Sequence, residues 1–438
     1  MELVDGLCAQ IARIRPVTRV GRVSEVGRGT LTVQGLSDVA TLGDRVDVAA
    51  GSGRFSGEVL RLTQAGLTIL PDSAAEGVAI GDAVDLLGAA ELAPDNSWIG
   101  RVIDPYGRPL DGRPLGSGAQ MRKVRAQAPA AATRNRLGAR LDTGVAVFDT
   151  LLPLVRGQRI GLFAGSGVGK SSLLAKFARR VEADVVVIAL IGERGRELRE
   201  FTERTLGPAG MARSVVITAT LDQSPLMRRQ CALAAITVAE HFRDQGLQVL
   251  FLADSITRFA EAHREVALAA GETAALRGYP PSLTPAIMGL AERSGPGPNG
   301  LGDITAVFSV LVAGSDMEEP VADILRGVLD GHVVMDRKIA ERGRFPAIDL
   351  LRSVSRSLPE AADEGENKLI GEARRLLGAF DRAELMIQAG LYTKGSDAVV
   401  DQAIKVWPAL DAFLAEDAPH DGVAGSFRRL AETLQGSR

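Results

Sequence analysis

Cysteine, aromatic residues and any excess of charge are scarce in this 438-residue chain, and each shortage narrows what it can be. Cys8 and Cys231 are the only cysteines and stand far apart. That excludes an internal disulfide framework and fits a reducing compartment, with both thiols read as small hydrophobes. Lys and Arg number 51 against 54 Asp and Glu, a formal net charge of -3. Nucleic acid held by bulk electrostatics needs a clustered cationic excess and is not expected. The four histidines, His241, His263, His332 and His420, are isolated, so no Cys/His metal cluster is expected. Long apolar runs are missing as well. Residues 185–191 and 249–253 have buried-strand length and fall well short of the ~18 to 20 residues that cross a bilayer. The start, Met1-Glu2-Leu3-Val4-Asp5, is acidic where a secretory signal would be basic and then apolar. The expectation is a cytoplasmic protein that partners could hold at a membrane.

What is present falls into three stretches, as expected for a chain too long for one core. Leu3, Val4, Leu7, Ile11 and Ile14 recur at near-helical spacing and predict a short amphipathic helix. From 17 to about 90, short β-branched or alternating runs such as 30–33 and 78–84 alternate with Gly, Asp and Ser turns, the pattern of a small antiparallel barrel. Gly100, Pro105, Gly107, Pro109, Gly112 and Pro114 mark 95–115 as a connection rather than a core element. Beyond it, predicted strands at 159–164, 184–191, 215–218, 248–254 and 303–312 alternate with helices at 171–182 and 225–244, which implies a parallel sheet covered on both faces. The Gly/Pro-rich loop 294–303 reads as mobile. After Pro359, residues 361–414 are rich in Ala, Leu, Glu and Arg at helical spacing. The expected domains are thus 1–95, a helix and β-barrel; 96–358, an α/β nucleotide-binding domain; and 359–438, a helical domain.

The chemistry begins at Ala164-Gly165-Ser166-Gly167-Val168-Gly169-Lys170-Ser171-Ser172, which leaves an apolar strand and opens a helix. Glycines there let successive amides turn inward around phosphate oxygens, and the helix terminus adds partial positive charge. Lys170 is placed to reach the β- and γ-phosphates of a nucleoside triphosphate, and the Ser171 hydroxyl to ligate Mg²⁺. Ala164 stands where the general phosphate-loop motif has Gly, leaving the other glycines intact. The apolar strand 248–253 empties into Asp254 at the edge where open α/β sheets bind ligands, which suits a carboxylate that holds the magnesium ion through water. Glu193, in Gly192-Glu193-Arg194-Gly195-Arg196-Glu197, follows another buried strand and is the candidate to orient attacking water; a surface ion-pair cluster with Arg194 and Arg196 is the plainer reading. Trp98 and Trp407 adjoin Ile99 and Val406 and read as packing residues.

This phosphate loop, Gly192-Glu193-Arg194, Asp254-Ser255-Ile256-Thr257-Arg258-Phe259, Gly278-Tyr279-Pro280-Pro281-Ser282-Leu283 and Pro346-Ala347-Ile348-Asp349 together resemble the catalytic subunits of rotary ATP synthases. More closely the chain resembles the flagellar and type III secretion export ATPases, on the Ala-Gly-Ser-Gly loop, Ser171 in place of Thr, Met317-Glu318-Glu319-Pro320-Val321-Ala322-Asp323 and Leu329-Asp330-Gly331-His332. The resemblance spans nearly the whole chain. It implies a multidomain fold of N-terminal β-barrel, central α/β RecA-like P-loop domain with a parallel sheet, and C-terminal helical domain. It implies Mg-ATP hydrolysis by a homo-hexameric ring, with Glu193 as catalytic carboxylate, Lys170 and Ser171 on phosphate and magnesium, and Asp254 beyond the metal. It adds Arg356 as a finger reaching the neighbouring subunit's site, and Phe345 as an aromatic packing on adenine, where core packing is the alternative. Arg194 and Arg258 match positions near the γ-phosphate; their alternative is structural pairing with Glu193 and Asp254. Implied partners are a regulatory stator-like protein at the N-terminus, export chaperones and substrates, and a membrane export gate approached from the cytoplasm.

Other readings compete. An injectisome ATPase is one, and the flagellar branch is preferred on Arg344-Phe345-Pro346 and residues 353–359. A rotary synthase subunit is disfavoured because the C-terminal helices lack the dense acidic segment that engages a rotor. Glu193 speaks against a non-catalytic ring subunit. A hexameric RNA translocase would need aromatic stacking residues in the barrel, where Phe55 is the only aromatic between 17 and 90.

Overall fold

The computed structural model describes residues 17–435 apart from 28, 52 and 313–316; the predicted helix around Leu3 to Ile14 lies outside the described residues. Six strands form a closed antiparallel barrel: β1 (Arg19–Val26), β2 (Leu31–Gln34), β3 (Arg45–Ala50), β4 (Gly53–Thr63), β5 (Gly66–Pro71) and β6 (Ala83–Gly88). Alternation decides which side chains fill it. Val46 and Val48 of β3 point inward while Arg45 and Asp47 face out, and Leu31 and Val33 of β2 do the same against Thr32. The run expected as a strand at 78–84 is instead mostly turn, because Asp82 Oδ2 accepts the Ala79 amide at 2.8 Å and holds the chain in a bend before β6. Glu58 of the barrel pairs with Arg125, and with Arg229 at 2.6 Å, while Arg45 lies 4.0 Å over the Tyr106 ring. These contacts tie the barrel to the central domain. Burial pushes the Tyr106 hydroxyl up to about 12.

A short antiparallel pair joins β7 (Glu91–Leu92) to β9 (Arg122–Lys123). Between them lies β8 (Arg101–Ile103), which pairs in parallel with β12 (Ser214–Thr220) as the edge of the main sheet. This corrects the reading of 95–115 as a mere connection. Three residues are too few to show a period, and the surrounding Gly and Pro mask them. Trp98 beside β8 is 3% exposed and donates Nε1 to Gly116 O at 2.7 Å.

The central sheet has eight strands in the order β16-β15-β10-β14-β13-β11-β12-β8. Its middle is β10 (Arg159–Ala164), β14 (Ile304–Leu311), β13 (Val249–Asp254) and β11 (Val185–Glu193), all parallel. β11 reads VVVIALIGE and is buried through Gly192, with no alternation, because helices cover both faces of the sheet. β15 (Gly331–Met335) and the antiparallel β16 (Ile348–Ser355) extend the sheet on the other side. The loop 294–303, expected to be mobile, is laced in place: Gly295 and Ile304 exchange backbone hydrogen bonds at 2.9 Å, Gly297 N donates to Asp303 Oδ1 at 2.9 Å, and Gly302 N to Arg243 O at 3.0 Å. Its glycines serve close backbone packing.

Three helices close the chain, Glu364–Gln388, Ala398–Phe413 and Gly422–Gln435, all within the helical region 359–438. Asp363 and Glu366 cap the first reciprocally. Phe380 and Trp407 stack at 4.5 Å between the first two. Among the described residues no helix is long and apolar enough to cross a membrane.

Candidate active site at the carboxyl edge of the sheet

β10 ends at Ala164 and the next helix, Lys170–Arg180, starts six residues later, which leaves 165–169 to turn the chain. Gly167 (φ 78°) and Gly169 (φ 86°) adopt left-handed backbone that a side chain would strain. Val168 between them is buried and anchors the loop. Free amides of the helix N-terminus face the resulting cradle.

Because β10, β14, β13 and β11 are neighbours and parallel, their carboxyl ends bring residues distant in sequence to one edge. Leu190 pairs with Asp254 across β11 and β13, and Glu193 lies three residues beyond it. Asp254 is 3% exposed and forms an ion pair with Lys170 Nζ. It also accepts from Ser309 Oγ at 2.6 Å, and Lys170 Nζ lies 3.5 Å from the same hydroxyl. These donors satisfy a carboxylate that burial has taken out of water. Burial and the Asp254 charge, with Glu197 adding to them against the pull of Lys170, push the Glu193 carboxyl up to about 7.

Gly165, Ser166, Gly167, Gly169, Lys170, Ser171, Ser172, Glu193, Arg194 and Arg258 line one cavity of about 480 Å³. A contiguous pocket of about 260 Å³ holds Ser171, Ser172, Glu193, Glu197 and Asp254. Arg194 and Arg258 do not pair with Glu193 and Asp254 as the alternative reading had it. Arg194 lies 3.6 Å from Glu197 and Arg258 donates to Glu261 at 2.8 Å, each three residues along its own helix, where side chains are natural neighbours. Phe345 is 49% exposed, which removes core packing as its role. It stands over the phosphate loop: a Cβ on Gly169 would lie 3.1 Å from its ring. With Pro346, Leu173 and Lys176 it lines a cleft of about 360 Å³ that opens beside the loop.

Arg356 is elsewhere. Its amide donates to Asp330 O at 3.0 Å, and the Asp330 amide to Arg159 O at 2.8 Å, which sets it at the start of β10, whereas the phosphate loop follows the end. Six residues of strand separate the two edges by about 17 Å. Its exposed guanidinium donates Nη2 to Arg326 O at 3.1 Å.

Ser309 was missed from sequence. Its signal was a hydroxyl in the otherwise apolar middle of β14, which becomes informative only once β14 is known to lie between β10 and β13. Cys231 is buried, with its thiol pushed up by burial, as a small hydrophobe should be. His263 is half-buried and hydrogen-bonds Ser282 Oγ at 2.8 Å, and among the described residues no cluster of three or more His, Cys, Asp or Glu could hold a metal.

A phosphate loop on a doubly covered parallel sheet, with two carboxylates at its carboxyl edge and a barrel and a helical domain on either side in sequence, defines a multidomain phosphate-loop nucleotide-binding protein. Residues 144–355 match the nucleotide-binding domain of the ATP synthase alpha/beta family, and 362–435 match the C-terminal domain of the type III secretion ATPase EscN. The chain is 43% identical to the flagellum-specific ATP synthase of Caulobacter vibrioides over 98% of this chain and 99% of that one. It is 41% identical to the flagellum-specific ATP synthase of Salmonella typhimurium (94% and 93%) and 40% to the type 3 secretion system ATPase of Pseudomonas syringae (94% and 93%). Among solved structures, assembled EscN from enteropathogenic E. coli superposes with a TM-score of 0.87 at 33% identity, over 94% of this chain and all of that one. This protein belongs to the family of flagellum-specific ATP synthases and type III secretion ATPases, and it is a nucleotide-binding ATPase.

Proposed function

We propose that this chain is the Mg-ATP-hydrolysing ATPase of a flagellar type III export apparatus, where hydrolysis energises release and export of substrates from their chaperones. The observation that carries this reading is likeness to flagellum-specific relatives over nearly the whole length of both chains. The injectisome alternative draws on the likeness to EscN, at 33% identity against 43% for the flagellar relative.

In this reading the loop amides and Lys170 hold the β- and γ-phosphates, and Glu193 orients water in line with the γ-phosphorus. As the water oxygen bonds to phosphorus, the bond to the β,γ-bridging oxygen breaks, and the ionised Glu193 carboxylate takes up the water proton. Arg194 and Arg258 line the cavity near the γ-phosphate, and Phe345 offers its ring to adenine. The Ser171 hydroxyl and Asp254 carboxylate are hard oxygen donors that fit magnesium, an ion that takes the rest of its shell from phosphates and water. Bound with the nucleotide, the metal would neutralise charge on the phosphates.

The position of Arg356, remote from its own loop, supports action on a neighbouring subunit's nucleotide in a homo-hexamer. The assembled form of EscN, and its complex with the central stalk EscO, support a ring with a stalk partner here as well. A stator-like regulator at the N-terminus and a cytoplasmic location against the inner membrane at the export gate follow from the same reading. The test is genetic. Deleting the gene should abolish motility, and the wild-type chain but not Glu193→Gln should restore it. Intact motility with loss of effector secretion would transfer the protein to the injectisome.

A further inference from the structure

Two ion pairs join the C-terminal region, one from a helix and one from the linker after it, to the two walls of the cleft under Phe345. Arg344, next to Phe345 in the chain, is nearly buried, with its side chain 9% exposed. It donates Nη2 to Ile348 O at 2.8 Å, which fixes the turn carrying Phe345 and Pro346. Its Nε lies 3.0 Å from Asp411 Oδ1 on the helix Ala398–Phe413, close enough for charge pairing although the N–H does not point along the line. On the opposite wall Lys176, from the phosphate-loop helix, donates to Asp417 Oδ1 at 2.5 Å, and Arg180 of the same helix lies 3.2 Å from Asp417 Oδ2. Asp411 and Asp417 are six residues apart on one continuous segment, and that segment also holds backbone bonds to 144–146.

We infer that Asp411 and Asp417 are positioning residues that set the width of the cleft between Phe345 and the phosphate-loop helix, and through it the affinity for the base of the nucleotide. The inference rests on the reading of this cleft as the base site. Neither carboxylate lines the cleft. Each acts through the cation it holds: Asp411 through Arg344 on the aromatic wall, Asp417 through Lys176 on the helical wall. The two are unequal. Arg344 is buried, so removing its partner leaves a desolvated cation unpaired and the Phe345 turn is expected to shift. The Lys176–Asp417 pair is 25% and 47% exposed and contributes less.

Calorimetric titration of the full-length chain with ADP and with pyrophosphate, magnesium present, separates base from phosphate. Asp411→Ala is expected to weaken ADP about tenfold while pyrophosphate changes by less than about twofold. Asp417→Ala should show the same selectivity with a smaller loss. Asp411→Asn keeps the shape and should behave as Asp411→Ala, and the exchange Arg344→Asp with Asp411→Arg should recover most of the ADP affinity. Unchanged ADP affinity in Asp411→Ala, or pyrophosphate weakened as much as ADP, overturns the inference and leaves the cleft reading standing. Wild-type affinity for ADP no better than for pyrophosphate would instead remove the base site, and the inference with it.

Discussion

The Glu193 carboxyl titrates at about 7 in the folded chain against an ordinary 4.5, so the folded state binds this proton more tightly than the unfolded one. The sign follows: this group's contribution to stability is fully present below 4.5 and is lost as pH rises to about 7. Glu193→Gln removes the titration, so the nucleotide-free variant should gain more in melting temperature over wild type at about pH 8 than at about pH 5.5, as read by scanning calorimetry. Equal gains would mean that the raised value does not describe the folded protein. For turnover the ionised form is needed, so wild-type kcat/KM should climb through about 7. Glu193→Gln should still bind ADP and lose at least about 100-fold in rate. At Gly169 geometry makes a separate prediction. Its φ of 86° and a Cβ position 3.1 Å from the Phe345 ring mean that Gly169→Ala meets both strain and a neighbour, whereas Gly167→Ala, at φ 78°, meets strain alone. Nucleotide affinity should fall further in the first than in the second.

Among elements, the helices Pro225–Arg243 and Leu283–Arg293 are locked by one buried pair. Arg293 is 3% exposed; it lies 2.5 Å from Glu240 and donates to Val124 O at 2.7 Å and Thr237 Oγ1 at 2.9 Å. Arg293→Ala leaves Glu240 buried without its cation and should cost about 3–5 kcal/mol, whereas Arg293→Met with Glu240→Leu should recover much of it. Chemical denaturation followed by circular dichroism measures both; equal losses in the single and double variants would contradict the account. Element type was legible wherever a run was long and uniform. β11 and β13 are continuous apolar stretches, and only strands buried on both faces read that way. β8 was not legible, since its three residues carry no period and its strand character comes wholly from pairing with β12. β15 and β16 were passed over for a related reason. β16 alternates imperfectly, with Leu351 and Arg352 both exposed beside a register shift opposite β15.

For the whole molecule, Arg356 and the phosphate loop lie at opposite ends of β10, so one chain cannot bring its own arginine to its own nucleotide. Arg356→Ala should therefore be inactive alone. Mixed with Glu193→Gln protein, which keeps its arginine, it should regain ATPase activity at sites where an intact Glu193 faces an intact neighbouring Arg356. Phosphate release from titrated mixtures is the measurement, and an Arg356→Ala protein that hydrolyses ATP at the wild-type rate would end the idea of action in trans.

The phosphate loop, the two acidic strand ends and the order of barrel, sheet and helices were determined by the sequence alone, because backbone turning, strand burial and helical spacing are local and leave local patterns. Tertiary structure decided what those patterns could not encode. Only the parallel order of β10, β14, β13 and β11 brings Ser309, Asp254 and Lys170 together and lifts Glu193 toward neutrality, and only the return of the C-terminal helices sets Asp411 and Asp417 beside the cations that flank the Phe345 cleft. Proximity between residues 55 to 241 positions apart is a property of chain topology, and no single segment carries a trace of it.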